Sequence, residues 1–235
     1  YWNSEEFKLY SSEQRIDLEN ALNSEKSRGA TDNQLHSFDI KPYNYQQEIL
    51  DKLNAERVVR GFNRNLLVAA TGTGKTVIAA FDYKRFCKEN LGKKCRLLFV
   101  AHREEILKQS LACFRGVLRD ANFGDLFVGG FQPKSIDHLF VSVQTLNSQD
   151  IVSKTKKDFY DYIIIDEFHH AAAPTYQKLL EYYKPKILLG LTATPERMDG
   201  KNVIEYFGNR IAAEIRLPEA IERELLCPFQ YFGVS

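Results

Sequence analysis

Short runs of consecutive apolar residues alternate with segments of helical spacing along most of this chain. The apolar runs predict buried strands at residues 66–70, 96–101, 139–143, 162–165 and 187–191, with a weaker strand at 126–128. Helical spacing predicts helices at residues 46–53, 75–86, 104–114 and 175–183. Strands that are apolar throughout are typical of a parallel sheet that is covered on both faces. The pattern therefore predicts an α/β fold, with helices on both faces of a parallel sheet.

The segments that carry candidate chemistry follow these strands directly. They are residues 71–76, 101–103, 144–147, 166–169 and 192–194. Right-handed crossovers place the loops that follow parallel strands along one edge of the sheet, where ligands of such sheets bind. We therefore expect these five segments to lie together at one edge.

Composition narrows the class of protein further. The 235 residues carry a formal charge of +1, which argues against a histone-like polycation but leaves a local nucleic-acid site open. The four cysteines contain no Cys-x-x-Cys pair, so reduced thiols in a cytoplasmic protein are expected rather than zinc ligands or disulfides. No apolar run approaches the roughly 20 residues that span a membrane, so no membrane partner is expected.

A glycine-rich segment between a predicted strand and a predicted helix matches the pattern G-x-x-x-x-G-K-[ST], except that Ala69 replaces the first glycine. Its residues Thr71, Gly72, Thr73 and Gly74 allow backbone N–H groups to converge on phosphate oxygens at a helix N-terminus. Lys75 would reach the β and γ phosphates, and the Thr76 hydroxyl would coordinate magnesium. The alternative is a purely structural glycine-rich turn.

An acidic pair ends the predicted strand 162–165. The Asp166 carboxylate suits a magnesium ion, and Glu167 can polarise the attacking water in a phosphoryl transfer. The alternative is a solvated acidic pair. His169 and His170 have no further His or Cys at ligand spacing, which argues against zinc, and His169 is interpreted as a relay of the nucleotide state. Together, the two segments predict hydrolysis of a nucleoside triphosphate.

In this order the motifs resemble the first RecA-like motor domain of a superfamily 2 helicase or translocase. The segment 69–76 resembles motif I, 166–169 resembles a DExH-type motif II, and 192–194 resembles motif III. Residues 100–103, with Gln109 following, resemble motif Ia, and 144–146 resemble motif Ib. The likeness covers residues 40 to 235 and is strongest to bacterial DEAD/DEAH-box helicases of the restriction-enzyme type (ResIII-like), in which a phospholipase-D-like nuclease domain can precede the motor.

The resemblance implies a role for several further residues. Gln46 would read adenine, which makes ATP the expected cofactor together with Mg²⁺, and Gln47 is the alternative reader. His169 would join Lys75, Asp166 and Glu167 in the catalytic set. The resemblance also implies that Thr192 and Thr194 couple the nucleotide state to nucleic acid. It further implies that Arg103 and Thr145 contact the backbone of one nucleic-acid strand.

Backbone contact without base readout agrees with a motor that moves along any sequence. For Arg103 the alternative is an ordinary surface arginine, and for Thr145 it is a helix N-cap. The expected partner is nucleic acid, with DNA favoured over RNA.

The resemblance also implies a domain organisation. We expect a helical connector at residues 1–40, the ATP-binding RecA-like domain at 41–226, and the start of a connection to a second RecA-like domain at 227–235. In such motors the second domain supplies arginine fingers. The sequence 195–235 carries no second phosphate-facing segment, so the chain is interpreted as a fragment that binds nucleotide weakly and hydrolyses little alone.

Two other functions remain open from the sequence. The first is the motor of a restriction or phage-defence complex, in which ATP drives translocation and a nuclease cuts. The second is a nucleotide-sensing module that does not translocate. The complete set of Lys75, Asp166 and Glu167 argues against this second reading.

Overall fold

The computed structural model describes residues 40–170, 174–195 and 203–227. These residues belong to a compact unit that begins at Ile40. Except for Ile40, the expected connector at 1–40 lies outside the described residues, and so does the expected connection 227–235 beyond Cys227.

Seven strands in the described residues form one sheet, and every pairing in it is parallel. In spatial order the strands are β3, β4, β2, β5, β6, β1 and β7. Their bounds are β1 Arg64–Ala69, β2 Leu97–Ala101, β3 Asp125–Phe127, β4 His138–Ser142, β5 Tyr162–Ile165, β6 Ile187–Thr192 and β7 Ala213–Ile215. The predicted α/β fold with a parallel sheet is confirmed.

The α-helices in the described residues are α1 Asn44–Val58, α2 Lys75–Glu89, α3 Glu104–Leu118, α4 Val143–Ser148, α5 Ile151–Lys154, α6 Pro174–Tyr182 and α7 Leu217–Glu222. Five of these seven described α-helices lie in the crossovers between strands, whereas α1 precedes β1 and α7 follows β7. Short 3₁₀ helices occur at Phe168–His170 and Val203–Phe207. None of the helices in the described part of the chain has the length and apolarity that a membrane crossing requires.

Alternation of side chains along each strand divides the core into two layers. In β1, Leu67 and Ala69 pack into the layer that α1, α2 and α3 cover. Leu66 and Val68 point into the opposite layer, which contains residues of α4, α5 and α6. Because both faces are buried, the central strands are apolar at nearly every position, which explains why sequence periodicity located them.

Local hydrogen bonds explain where the observed elements differ from the predicted ones. β4 ends at Ser142, one residue before the predicted end, because the Ser142 hydroxyl accepts from the backbone N–H of Thr145 and starts α4 there. α1 begins before its predicted start because Gln46 accepts from the backbone N–H of Tyr43 in a capping box. The strand β7 was not predicted, since it has three residues and its middle residue, Glu214, is exposed.

A buried polar cluster joins the first helix pair to the sheet. The Arg57 guanidinium binds Asp82 through two nitrogens, at 2.8 and 2.6 Å, and donates to Asn65 Oδ1 at 2.6 Å. The Tyr162 hydroxyl also donates to Asp82. The Asp82 side chain is completely buried. The cluster therefore links α1, α2, β1 and β5 through charge-assisted hydrogen bonds in a low-dielectric layer.

Candidate active site

The carboxyl ends of the strands surround a cavity of about 520 Å³. Nine of the predicted residues line it: Thr71, Gly72, Gly74, Lys75, Thr76, Asp166, Glu167, His169 and Thr192. The spatial order places β5 and β6 between β2 and β1, so segments distant in sequence meet at adjacent strand ends. Five further lining residues were not among the predicted site residues: Val77, Ile106, Gln109, Cys113 and Ala193.

The loop between β1 and α2 has a backbone that only glycine adopts easily at two positions. Gly72 and Gly74 have φ angles of 90° and 74°. Between them, the buried Thr73 turns inward, and its hydroxyl donates to the Ala70 carbonyl at 2.7 Å. The loop is thereby held in a curved shape at the N-terminus of a 15-residue helix, an arrangement that favours anion binding.

The Lys75 ammonium lies at the centre of the loop. It donates to the carbonyl oxygens of Ala69 and Ala70 at 2.9 and 3.3 Å. Burial lowers the pKa of Lys75, although the charges of Asp166 and Glu167 oppose this change. An anion in the cavity would stabilise the ammonium form of Lys75, because its negative charge replaces the favourable interaction with water that burial removes.

The acidic pair lies across the cavity from the loop. Asp166 is 7 % exposed, and burial raises the pKa of its carboxyl, an effect that the Glu167 backbone N–H and the Lys75 charge oppose. Glu167 has a φ of 51°, which places a non-glycine residue in the left-handed region. Such strain concentrates at functional positions. Its backbone N–H donates to Asp166 Oδ1 at 2.9 Å, which orients the Asp166 carboxylate.

A short hydrogen-bond chain connects His169, two residues after the acidic pair, to the end of β6. His169 Nδ1 lies 3.2 Å from Thr192 Oγ1, and this hydroxyl donates to the Thr194 carbonyl at 3.0 Å. The Thr194 backbone N–H returns a hydrogen bond to the same hydroxyl at 3.2 Å. The 3₁₀ turn that carries His169 is therefore hydrogen-bonded to the loop that follows β6.

Gln46 lies beside the phosphate loop but does not line the cavity. Its side chain is 3 % exposed, and a Cβ atom placed on Gly74 would lie 2.7 Å from Gln46 Nε2. The neighbouring Tyr45 hydroxyl donates to the Thr73 carbonyl at 3.0 Å and accepts from Gln46 Nε2 at 3.3 Å. Gln47 instead donates to Asp51 on the outer side of α1. Of the two glutamines, Gln46 is the one in contact with the loop.

Arg103 and Thr145 lie outside the cavity, Arg103 at the N-cap of α3 and Thr145 in the first turn of α4. Ala101 of β2 is in register with Ser142 of β4, so the loops after these strands start side by side. Arg103 is exposed at the start of α3. The N-cap of α4 is Ser142, so the alternative reading of Thr145 as an N-cap is wrong. The Thr145 hydroxyl accepts from Ser142 Oγ at 2.8 Å, which leaves its own proton available to a ligand.

Two residues near the site, Cys113 and Tyr176, belong to no sequence motif that could have identified them. Cys113 reaches the cavity from the third turn of α3, and burial raises the pKa of its thiol to about 11. Tyr176 of α6 is buried, and its hydroxyl has no hydrogen-bond partner among the described residues. Burial raises the pKa of Tyr176 to about 12, and the charges of Glu167 and Asp166 add to this rise. Both positions depend on how helices pack across the sheet.

The sequence of this chain matches a known protein family and several known proteins. The family described as "Type III restriction enzyme, res subunit" matches residues 39–197. The EcoAI endonuclease subunit of a type I restriction enzyme from Escherichia coli is 30% identical over 215 residues, which cover 83% of this chain and 24% of that protein. The Saccharomyces cerevisiae protein described as "Putative ATP-dependent helicase IRC3" is 28% identical over 203 residues, covering 81% of this chain and 29% of the relative. The chain thus spans about a quarter of the length of these relatives.

Solved structures agree with the family match. "The fragment structure of a putative HsdR subunit of a type I restriction enzyme from Vibrio vulnificus" superposes with a TM-score of 0.58 at 28% identity, covering 82% of this chain and 34% of that chain. The helicase domain of Hef from Pyrococcus furiosus has a TM-score of 0.59 at 22% identity over 77% of this chain and 40% of that one, which supports the fold alone. The chain therefore belongs to the type III restriction enzyme res subunit family, and its fold is that of a superfamily 2 helicase RecA-like domain.

Proposed function

We propose that this chain is the ATP-binding motor domain of a nucleic-acid translocase of the restriction type. The observation that carries the proposal is the cavity in which Lys75 faces Asp166 and Glu167. Burial shifts the pKa of Lys75 downward and that of Asp166 upward, so the neighbouring groups compensate each buried charge only in part. A triphosphate with its divalent cation carries the charges of both signs that this cavity requires.

The residues present suit magnesium rather than a soft metal. The Thr76 hydroxyl and the Asp166 carboxylate line the same cavity and are hard oxygen donors. Among the described residues there is no group of three His, Cys, Asp or Glu side chains placed to hold a metal ion. Magnesium commonly takes one or two protein oxygens and completes its shell with phosphate and water. Bound there, it would supply positive charge to the phosphate oxygens.

The chain's own groups then have separate tasks. The N–H groups of the loop and the Lys75 ammonium would bind and orient the phosphates, once Lys75 exchanges its bonds to Ala69 and Ala70 for phosphate oxygens. Glu167 would orient the attacking water and accept its proton. The hydrogen bonds from His169 through Thr192 to Thr194 would couple the nucleotide state of the cavity to nucleic acid bound at the sheet edge.

A second RecA-like domain is part of the proposal. No arginine is present among the described residues that line the cavity, and Lys75 is its only fixed cation. Arginine fingers contribute roughly 10³- to 10⁵-fold in comparable NTPases. We therefore propose that this chain alone binds the nucleotide but hydrolyses it slowly, and that a second domain completes the site.

DNA is proposed as the track, with Arg103 and Thr145 on the backbone of one strand. The segments that follow β2 and β4 present a guanidinium and a hydroxyl at the same sheet edge, and His102 Nδ1 after β2 lies 2.9 Å from Gln144 Nε2 at the start of α4. These groups suit phosphate oxygens and do not read bases. The restriction-enzyme subunits among the relatives favour DNA over RNA and favour the motor of a restriction complex.

The preference for adenine is tested at Gln46. We expect magnesium–ATP to bind this chain more tightly than magnesium–GTP, and we expect Gln46→Ala to weaken ATP binding by roughly 3- to 10-fold and to remove the preference. The exposed Tyr43 ring, stacked on Tyr45 beside Gln46, offers a flat surface for the base. Isothermal titration calorimetry with each nucleotide measures this directly.

Gln47→Ala is the matched control, because Gln47 belongs to the same helix but bonds Asp51 away from the loop. This variant should keep both the affinity and the preference of the wild type. Equal binding of ATP and GTP by the wild type, or a loss of preference in Gln47→Ala alone, would overturn the assignment of Gln46.

A further inference from the structure

The sheet edge opposite the cavity carries a concentration of positive charge. Three loops lead into the amino ends of the adjacent strands β2, β5 and β6, at residues 92–96, 156–161 and 183–186. They contain seven basic and two acidic residues, whereas the whole chain has a net charge of only +1. None of these residues belongs to the motor site described above.

Specific contacts hold the three loops together. The backbone N–H of Lys184 donates to the Lys157 carbonyl at 2.8 Å, which joins the loops before β5 and β6. The Arg96 guanidinium lies over the Phe159 ring, 4.3 Å from its centroid, which joins the loops before β2 and β5. The three strands are adjacent, and neighbouring strands are separated by about 4.8 Å, so the three loops lie side by side at this edge.

Most of this charge is not neutralised within the described part of the chain. Lys186 pairs with Asp161 at 2.8 Å, and Arg96 pairs with Asp137 at 2.6 Å. The other five basic residues are exposed and form no ion pair within 4.0 Å with a described carboxylate, although the charge of Lys94 adds to the hydrogen bond from Arg96 in lowering the pKa of the Asp137 carboxyl. We call them the lysine edge: Lys93, Lys94, Lys156, Lys157 and Lys184.

The chemistry of the lysine edge favours a phosphate backbone over a protein partner. Lysine is depleted at the centre of protein interfaces, where aromatic and aliphatic anchors dominate. Of the three aromatic residues in these loops, Phe159 is half-buried and covered by Arg96, and Tyr160 and Tyr183 are buried. Exposed ammonium groups on long side chains instead suit the dense, regular charge of a nucleic-acid duplex and need no base readout.

We propose that the lysine edge is a second DNA-binding surface, which holds duplex DNA by its phosphates on the side of the sheet opposite the ATP site. It goes beyond the motor function, since this binding requires neither nucleotide nor the loops at Arg103 and Thr145. Duplex held at this edge stays near the domain while the nucleotide state changes at the other edge.

The test is a matched pair of double variants of this chain, each of which removes two positive charges. The edge variant is Lys157→Gln with Lys184→Gln, two neighbouring residues of the lysine edge. The control is Lys52→Gln with Lys178→Gln, two exposed lysines on helices that cover opposite faces of the sheet. Binding of a fluorescent 30-base-pair duplex is measured by anisotropy without nucleotide across a salt series.

The edge variant should bind the duplex on the order of tenfold more weakly at low salt than the wild type. The slope of log affinity against log salt should also become shallower, by roughly 0.9 for each phosphate that the variant no longer neutralises. The control should retain the affinity and slope of the wild type.

Wild-type affinity in the edge variant overturns the proposal and points to an acidic protein partner or to solvated lysines. An equal loss of affinity in the control also overturns it, because the effect would then reflect net charge alone. Failure of the motor proposal would be seen separately, as absence of magnesium–ATP binding by a chain that still holds duplex DNA.

Discussion

Replacing Glu167 with glutamine is expected to lower the rate of ATP hydrolysis by the full-length protein, with duplex DNA present, by about 10²- to 10⁴-fold. The amide keeps the size of the side chain and its place in the cavity, but it cannot accept the proton of the attacking water. The KM for ATP should stay nearly unchanged, because the variant retains Lys75, Thr76 and Asp166, the residues proposed to bind the nucleotide and its magnesium. Phosphate release under saturating ATP measures kcat directly.

Glu105→Gln is the control for this prediction. Glu105 is exposed in the first turn of α3, at the same sheet edge, but it does not line the cavity. Its replacement removes the same charge and should leave turnover unchanged. If Glu167→Gln hydrolyses ATP as fast as Glu105→Gln, then Glu167 does not activate the water and the proposed chemistry is wrong.

The second large effect concerns folding. We expect Asp82→Ala to lower the free energy of unfolding by about 3–5 kcal/mol, because it leaves the buried Arg57 guanidinium without its carboxylate. Tyr162 also loses the acceptor of its hydroxyl. Urea denaturation of the wild type and the variant, followed by circular dichroism, gives the difference.

An exposed ion pair provides the comparison for Asp82. Asp51 pairs with Arg85 at 3.0 Å, but its side chain is 62% exposed. Asp51→Ala should therefore lower the free energy of unfolding by only about 0–1 kcal/mol. Equal decreases for Asp82→Ala and Asp51→Ala would show that the buried cluster does not stabilise the domain as its burial suggests.

The sequence predicted the strands and the active-site loops well for a physical reason. Strands buried on both faces must be apolar along their whole length, and parallel crossovers bring their carboxyl ends to one edge. Residues as distant in sequence as Lys75, Asp166 and Thr192 could therefore be assigned to one site from the strand pattern alone. Glycines with positive φ in the phosphate loop, such as Gly74, were predictable on the same local grounds.

Features that depend on packing between elements could not be predicted in this way. Cys113 and Ile106 reach the cavity because α3 lies against α2, and no local pattern encodes that packing. The partners of Asp82 come from other elements than its own helix. The lysine edge arises because β5 lies between β2 and β6, a strand order that the periodicity of the chain does not specify.

ATP hydrolysis at the cavity is proposed to be coupled to DNA, and steady-state ATP turnover of the full-length protein measures this coupling. Turnover is compared with and without duplex DNA at fixed salt and saturating magnesium. A coupling free energy of typical size predicts stimulation on the order of tenfold or more. Turnover that is the same with and without DNA would contradict the motor function and leave a nucleotide-binding domain that does not translocate.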